Sequence, residues 1–254
     1  CETAGGTPIE LVRISSAVHT PSYRILLTAR HHACESMASY VLEGLLEAAL
    51  SESAGGAWLR KHTEIVAIPF VDKQGVEAGD QGKNRRPHDH WLDYSGESRY
   101  RSVAALRAVA AAWGDQGVDL AIDFHCPYLR GSEQGPGNSQ RIFFMGSRRP
   151  EINRNVRRLQ QIFQKEISHP FSYSLDNNLP FGLRWNTGEV AADSFLGWAA
   201  ELPGIRVATV MEIPYADIAG EEVNDATARR LGSDLARTVF HYLARQTDEP
   251  PSTP

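Results

Sequence analysis

Ile25-Leu26-Leu27-Thr28-Ala29 is a short apolar run that stops at Arg30-His31-His32. From Glu35 the period changes, and Met37, Val41, Leu45 and Leu46 recur at helical spacing. The stretch reads as strand, loop and helix, and the same alternation continues along the chain. Residues 65–70 form a second buried strand, and helix is expected over 100–113 through Val103, Leu106, Val109 and Ala110. Strands follow at 118–125 and 141–145, then an amphipathic helix at 150–167 opened by Pro150 and Glu151. After a loop at 176–189, residues 190–202 read as helix and 205–211 as a β-branched strand ending at Glu212. A closing helix at 224–245 carries Ala228, Leu231, Leu235 and Val239 on one face.

Strands alternating with helices predict an α/β fold, with a mixed but mostly parallel central sheet covered by helices on both faces. In such a sheet, ligands bind beyond the carboxyl ends of the strands. His32, His125 and Glu212 each sit just past or at such an end. A polar stretch at 71–99, rich in Gly, Asp, Arg and Pro, has no periodicity. A loop of that length inside a compact domain is usually functional.

The 254 residues suit one domain, expected over 1–246, with a disordered tail at 247–254. The net charge of −5 offers no basic field for a nucleic acid. No apolar run approaches the roughly 18 residues of a membrane-spanning helix. Three cysteines, Cys1, Cys34 and Cys126, leave at least one thiol free, which leans towards a reducing, cytoplasmic compartment. Cys1 also admits the reading of a lipid-modified first residue. The chain is expected to begin within a fold, with an upstream segment missing.

His32-Ala33-Cys34-Glu35 sets an imidazole and a carboxylate three positions apart where a loop enters a helix, so both can face one cation. His125 is a candidate third ligand. Glu212 closes the apolar strand Val207-Ala208-Thr209-Val210-Met211, where burial without a partner would be costly. Beside a metal-activated water it would have a task as base and then acid. Taken singly each residue has a plainer reading: a helix-start glutamate, a polar loop histidine, a satisfied strand-end histidine and a solvated carboxylate.

The four motifs together resemble the zinc carboxypeptidase family related to carboxypeptidase A. They are His32-x-x-Glu35; Val71-Asp72-Lys73-Gln74-Gly75-Val76-Glu77 running into Gly82-Lys83-Asn84-Arg85-Arg86-Pro87-His88-Asp89; Asp123-Phe124-His125; and Met211-Glu212-Ile213-Pro214-Tyr215. The match in order and spacing runs from about Gly6 to Tyr215. The resemblance implies one zinc held by His32, Glu35 and His125, with Glu212 as the catalytic carboxylate. It implies that Asp89 accepts a hydrogen bond from the first zinc histidine, and that Arg85 or Arg86 stabilises the oxyanion. The plainer reading of the arginines is pairing with Asp80 or Asp89 in a solvated loop.

After Asp89-His90 the family usually carries an Asn-Arg pair that grips the substrate's terminal carboxylate, and here Trp91-Leu92 stands instead. An apolar pair supplies no forked cation. Arg184, or whichever of Arg85 and Arg86 is not at the oxyanion, is the candidate replacement anchor, with Trp91 as a substrate contact. For the family's substrate-side tyrosine, Tyr173 and Tyr215 are the candidates, alongside Arg184, Trp185 and Asn186 in the loop before Gly188.

The expected function is removal of C-terminal residues from peptides. One alternative is a zinc-dependent deacylase acting on a small acylated amine or amino acid; another is a non-catalytic binding domain. Serine or cysteine hydrolysis is the rival chemistry. No Gly-x-Ser-x-Gly elbow is present, and Cys34 and Cys126 read as small buried fillers beside better-explained ligands.

Overall fold

The computed structural model describes residues 1–129 and 138–248. In chain order the elements are β1 (Val12–Ile14), β2 (Tyr23–Ala29), α1 (Ser36–Leu50), α2 (Ala54–His62), β3 (Thr63–Ile68), α3 (Lys73–Ala78), α4 (Arg101–Ala111), β4 (Leu120–His125), β5 (Phe143–Phe144), α5 (Pro150–Glu166), α6 (Gly188–Asp193), α7 (Phe195–Ala199), β6 (Val207–Glu212), β7 (Asp217–Ile218), β8 (Glu221–Glu222) and α8 (Asp225–Asp248).

The main sheet runs β1-β3-β2-β4-β6-β5. Its four central strands are parallel, and β1 and β5 close the edges antiparallel. Every residue of β2, β4 and β6 is buried, so both faces of the sheet centre are covered, as near-continuous apolar strands demand. This is the single α/β domain with a mixed, mostly parallel sheet that the alternation predicts.

Helices α1, α2, α5 and α8 pack on one another. Where α1 crosses α8 the approach is backbone to backbone: a Cβ at Gly44 would lie 2.0 Å from the Arg229 carbonyl oxygen, and one at Gly232 2.0 Å from that of Val41. After β2 the chain moves outward to β3, then returns to place β4 on the other side of β2. The strand order therefore reverses between β2 and β4, and a crevice opens there at their carboxyl ends.

The departures from expectation are local. The antiparallel edge strand β1 and the helix α2 carry little apolar periodicity. α2 contains Gly55 and Gly56, and is started by Ser53 Oγ accepting from Gly56 N at 3.0 Å. Within 71–99, α3 forms because Asp72 accepts from Gly75 N at 3.0 Å and Gly79 ends it in the left-handed region. The expected helix at 190–202 is divided at Ser194, whose hydroxyl caps α7 through Gly197 N at 3.1 Å. Helix α8 continues to Asp248, into the first two residues of the expected tail, and 249–254 lie outside the described residues.

Candidate active site

Three strand ends supply the site. β2 runs out at Ala29 and the chain turns through His31 and His32; β4 ends on His125; β6 ends on Glu212, in direct register with His125. Glu35 stands at the N-cap of α1 but makes no capping hydrogen bond. Its carboxylate turns to the histidines instead. Oε1 lies 3.0 Å from His32 Nδ1, and Oε2 lies 3.0 Å from His125 Nδ1. The two Nδ1 atoms are 3.2 Å apart. The residues expected to bind metal thus converge on one point, a cluster able to hold an ion.

The far side of each imidazole is fixed by a carboxylate. His32 Nε2 lies 3.2 Å from Asp89 Oδ2, as the resemblance implies, and His125 Nε2 lies 2.5 Å from Asp123 Oδ2. Such partners set the tautomer and aim Nδ1 at the cluster. Asp123 carries a deeper network: Oδ1 accepts from Thr28 Oγ1 at 2.8 Å and lies 2.9 Å from His31 Nδ1, while His31 Nε2 lies 2.6 Å from the Tyr94 hydroxyl. His31, Asp123 and His125 form a second possible metal cluster. Both oxygens of Asp123 are already bonded within it and all three residues are buried, whereas His32 of the first cluster is part-exposed and lines an open pocket. The first cluster is the better metal site.

Electrostatics agree. Burial raises the Glu35 carboxyl, but His125, His32 and Lys83 more than offset this and hold it well below the usual range. Burial disfavours charge on His125, yet Asp123 and Glu35 push its proton affinity well up. Glu212, 5 % exposed, goes the other way: desolvation raises it against the lowering pull of Lys83 and His125. Its Oε2 is buried with no hydrogen-bond partner, and Glu35 Oε2 likewise makes no hydrogen bond despite its nearness to His125. Glu35 and Glu212 share one ammonium, Lys83, while Asp89 and Asp123 each stand behind an imidazole.

The pocket in front of Glu212 has a volume of about 240 Å³, and its apolar wall is Trp91, Leu92, Met145, Trp185 and Val210. Tyr128 also lines it, with its hydroxyl accepting from Asn84 Nδ2 at 2.9 Å. The indole N–H groups of Trp91 and Trp185 are buried without a protein acceptor.

The arginines expected at the site are not on this wall. Arg85 turns away to Asp72 and Asp80, at 2.5 and 2.9 Å; the exposed Asp80 is a partner the plainer reading names, and the buried Asp72 is one it does not. Arg86 and Arg184 are exposed. The acidic residues of the 72–80 segment capture Arg85, and its place in the pocket is taken by Lys83, a residue the sequence does not set apart from its basic neighbours. The tyrosine candidates also move: Tyr173 is buried against Phe144 and Phe163, Tyr215 meets Cys34 Sγ at 3.3 Å, and Tyr128 is the tyrosine of the pocket. Asp123 is a residue the sequence reading passes over, although its spacing could have found it, since residues two apart on a strand share a face with His125. His31 carried no such signal. The three cysteines are free.

No protein-family model matches the chain. Over 141 residues, 49% of this chain, it is 33% identical to cytosolic carboxypeptidase 4 of Mus musculus. The matched stretch spans 12% of that relative's length. Among solved structures, a metallo-carboxypeptidase from Burkholderia cenocepacia superposes with a TM-score of 0.80 at 17% identity, covering 97% of this chain and 64% of that one. A metallo-carboxypeptidase from Pseudomonas aeruginosa, in complex with (2-guanidinoethylmercapto)succinic acid, gives a TM-score of 0.71 at 19% identity, covering 96% of this chain and 63% of that one. The fold is that of the metallo-carboxypeptidases, the fold expected of the family that the four motifs resemble.

Proposed function

We propose that this carboxypeptidase-fold chain is a zinc-dependent metallopeptidase that hydrolyses C-terminal peptide bonds. The observation that carries the reading is a buried, unpartnered carboxylate oxygen on Glu212, in register with His125, facing a pocket beside a ready ligand cluster. The donor set fits zinc. Ligands about 2.0–2.2 Å from a tetrahedral centre stand roughly 3.3–3.6 Å apart, a few tenths of an ångström more than the 3.0 to 3.2 Å among His32 Nδ1, Glu35 and His125 Nδ1. Two imidazoles and one carboxylate leave a fourth position open, as in hydrolytic zinc sites.

Zinc bound there would act as a Lewis acid, polarising the scissile carbonyl and acidifying the attacking water. Glu212 takes the water's proton and later delivers it to the leaving nitrogen. Its raised proton affinity suits both halves of that task, because a base too weak to hold the proton could not carry it across. Asp89 and Asp123 keep the imidazoles aimed. Trp91, Leu92, Trp185, Met145 and Val210 exclude water and accept an apolar side chain.

The test is mass-spectrometric tracking of a mixed peptide library, each member with free and amidated C-termini, incubated with zinc-loaded protein and with a Glu212→Gln control. Loss of single C-terminal residues by the wild type, absent in the control, is expected. Zinc binding with no cleavage of any peptide would overturn the reading.

A further inference from the structure

The geometry points to Lys83 as the residue that stabilises negative charge on the scissile carbonyl oxygen, an inference that rests on the peptidase reading. Its placement begins with the backbone. Gly82 has φ +85°, and a Cβ there would lie 2.3 Å from Ala33 N, so this turn is pressed against the loop that presents His32. Cys34 N donates to the Gln81 carbonyl at 3.0 Å and locks the two loops together. The next side chain, 9% exposed, has one place to go. Lys83 Nζ donates to Glu35 Oε1 at 2.6 Å and to the Cys126 carbonyl at 2.6 Å, and lies 4.6 Å from the centre of the Tyr128 ring.

An ammonium has three N–H bonds, and two are used. No third protein acceptor lies within hydrogen-bonding distance among the described residues, although Glu212 is near enough to act on its charge. Its ion pair with Glu35 Oε1 compensates the burial of the ammonium. Among the described pocket-lining residues, Lys83 is the one with a permanent positive charge. A carbonyl oxygen that approaches the His32–Glu35–His125 cluster from the pocket, which Lys83 also lines, would lie within reach of the spare N–H.

During the reaction the water oxygen bonds to the carbonyl carbon, its proton passes to Glu212, and the C=O π pair moves onto oxygen. The pair then returns, the C–N bond breaks, and Glu212 gives the proton to nitrogen. Lys83 keeps its three protons throughout; its hydrogen bond strengthens as the oxygen becomes charged, which is what lowers a barrier rather than only binding substrate. The same ammonium neutralises Glu35, so the experiment must separate the two roles.

Zinc-saturated wild type, Lys83→Met and Lys83→Arg are titrated calorimetrically with a phosphinic peptide, whose tetrahedral anionic group imitates the charged intermediate, and with the product amino acid. Lys83→Met is expected to weaken the phosphinic peptide at least about tenfold, change product binding by less than about threefold, and lower kcat by about 10²–10³-fold with KM little altered. Lys83→Arg should recover most of the phosphinic affinity. If the phosphinic peptide binds wild type and Lys83→Met alike, while Lys83→Met releases zinc more readily to a chelator, Lys83 only neutralises Glu35 and the assignment is wrong. If the phosphinic peptide fails to bind zinc-saturated wild type and no peptide is cut, the peptidase reading falls and takes this one with it.

Discussion

The two sides of the pocket are built on opposite principles. On one side His32, Glu35 and His125 stand at strand and helix ends, each held by a charged or hydrogen-bonding partner that is itself held. On the other, Trp91, Leu92, Trp185, Met145 and Val210 present apolar surface, and two indole N–H groups there have no acceptor. The first side fixes atoms to a few tenths of an ångström, as a ligand sphere requires. The second fixes only shape. On the proposed reading chemistry falls to the first side and selectivity to the second, whose Trp91, Leu92 and Trp185 come from loops and whose Val210 comes from β6, and each side can be altered while the other is watched.

The largest effect should come from Glu212→Gln, which keeps size and burial but removes the base. A fall in kcat of about 10²–10⁴-fold is expected, with zinc content unchanged by metal analysis. Loss of zinc together with activity would mean that Glu212 is a ligand instead. Asp123→Asn comes next. It leaves His125 in place but weakens the carboxylate that orients it, and zinc affinity measured against a competing chelator should drop about 10- to 100-fold. An unchanged affinity would show that the buried His31–Asp123–His125 network serves folding alone.

On the apolar side the expected effect is smaller and of another kind. With no arginine on the described wall, wild type should cleave amidated peptides within about tenfold of their free-acid forms. The double substitution Trp91→Asn and Leu92→Arg introduces a guanidinium, and a charged hydrogen bond of about 1.5–3 kcal/mol would raise preference for the free acid roughly tenfold or more. Ratios of kcat/KM for matched acid and amide peptides measure it. A strong acid preference already present in wild type would show that a carboxylate anchor operates elsewhere.

The same division explains what the sequence discloses. The strands are near-continuous apolar runs because both faces are buried, so their ends, and with them His32, His125 and Glu212, can be located from pattern alone. Glu35 follows from its spacing to His32, and Asp89 from the resemblance. The loop side is opaque for a physical reason. Lys83, Arg85 and Arg86 are neighbours of like charge, and which one enters the pocket is decided by Asp72 and Asp80 capturing Arg85 and by Gly82 pressing against Ala33. Those are tertiary contacts with no periodic signature. Tyr128 is likewise placed by its hydroxyl on Asn84, 44 residues away in sequence.

The smallest effect concerns the seam between the two sides. His90 follows Asp89, which holds His32, and precedes Trp91, which forms the apolar wall. Its ring stacks on Tyr100 with centroids 3.5 Å apart, it is 6% exposed, and Nδ1 has no partner. Burial, reinforced by the nearby Arg85 guanidinium, pushes its pKa from 6.5 down to about 3. Between those values the unfolded chain binds a proton that the folded chain refuses, so stability from this group is intact above pH 6.5 and falls as pH drops towards 3. The limiting slope is about 1.4 kcal/mol per pH unit. His90→Gln removes the titrating group. Urea unfolding of both proteins at matched zinc loading, at pH 5, 6 and 7, should give a shallower acid-side decline in the variant, whatever its absolute stability. His32 and His125, whose proton affinity rises on folding, contribute with the opposite sign, but equally in both proteins, and cancel in the difference. Parallel curves would mean that His90 takes up its proton without unfolding, and that the seam opens to water while the metal side stays shut.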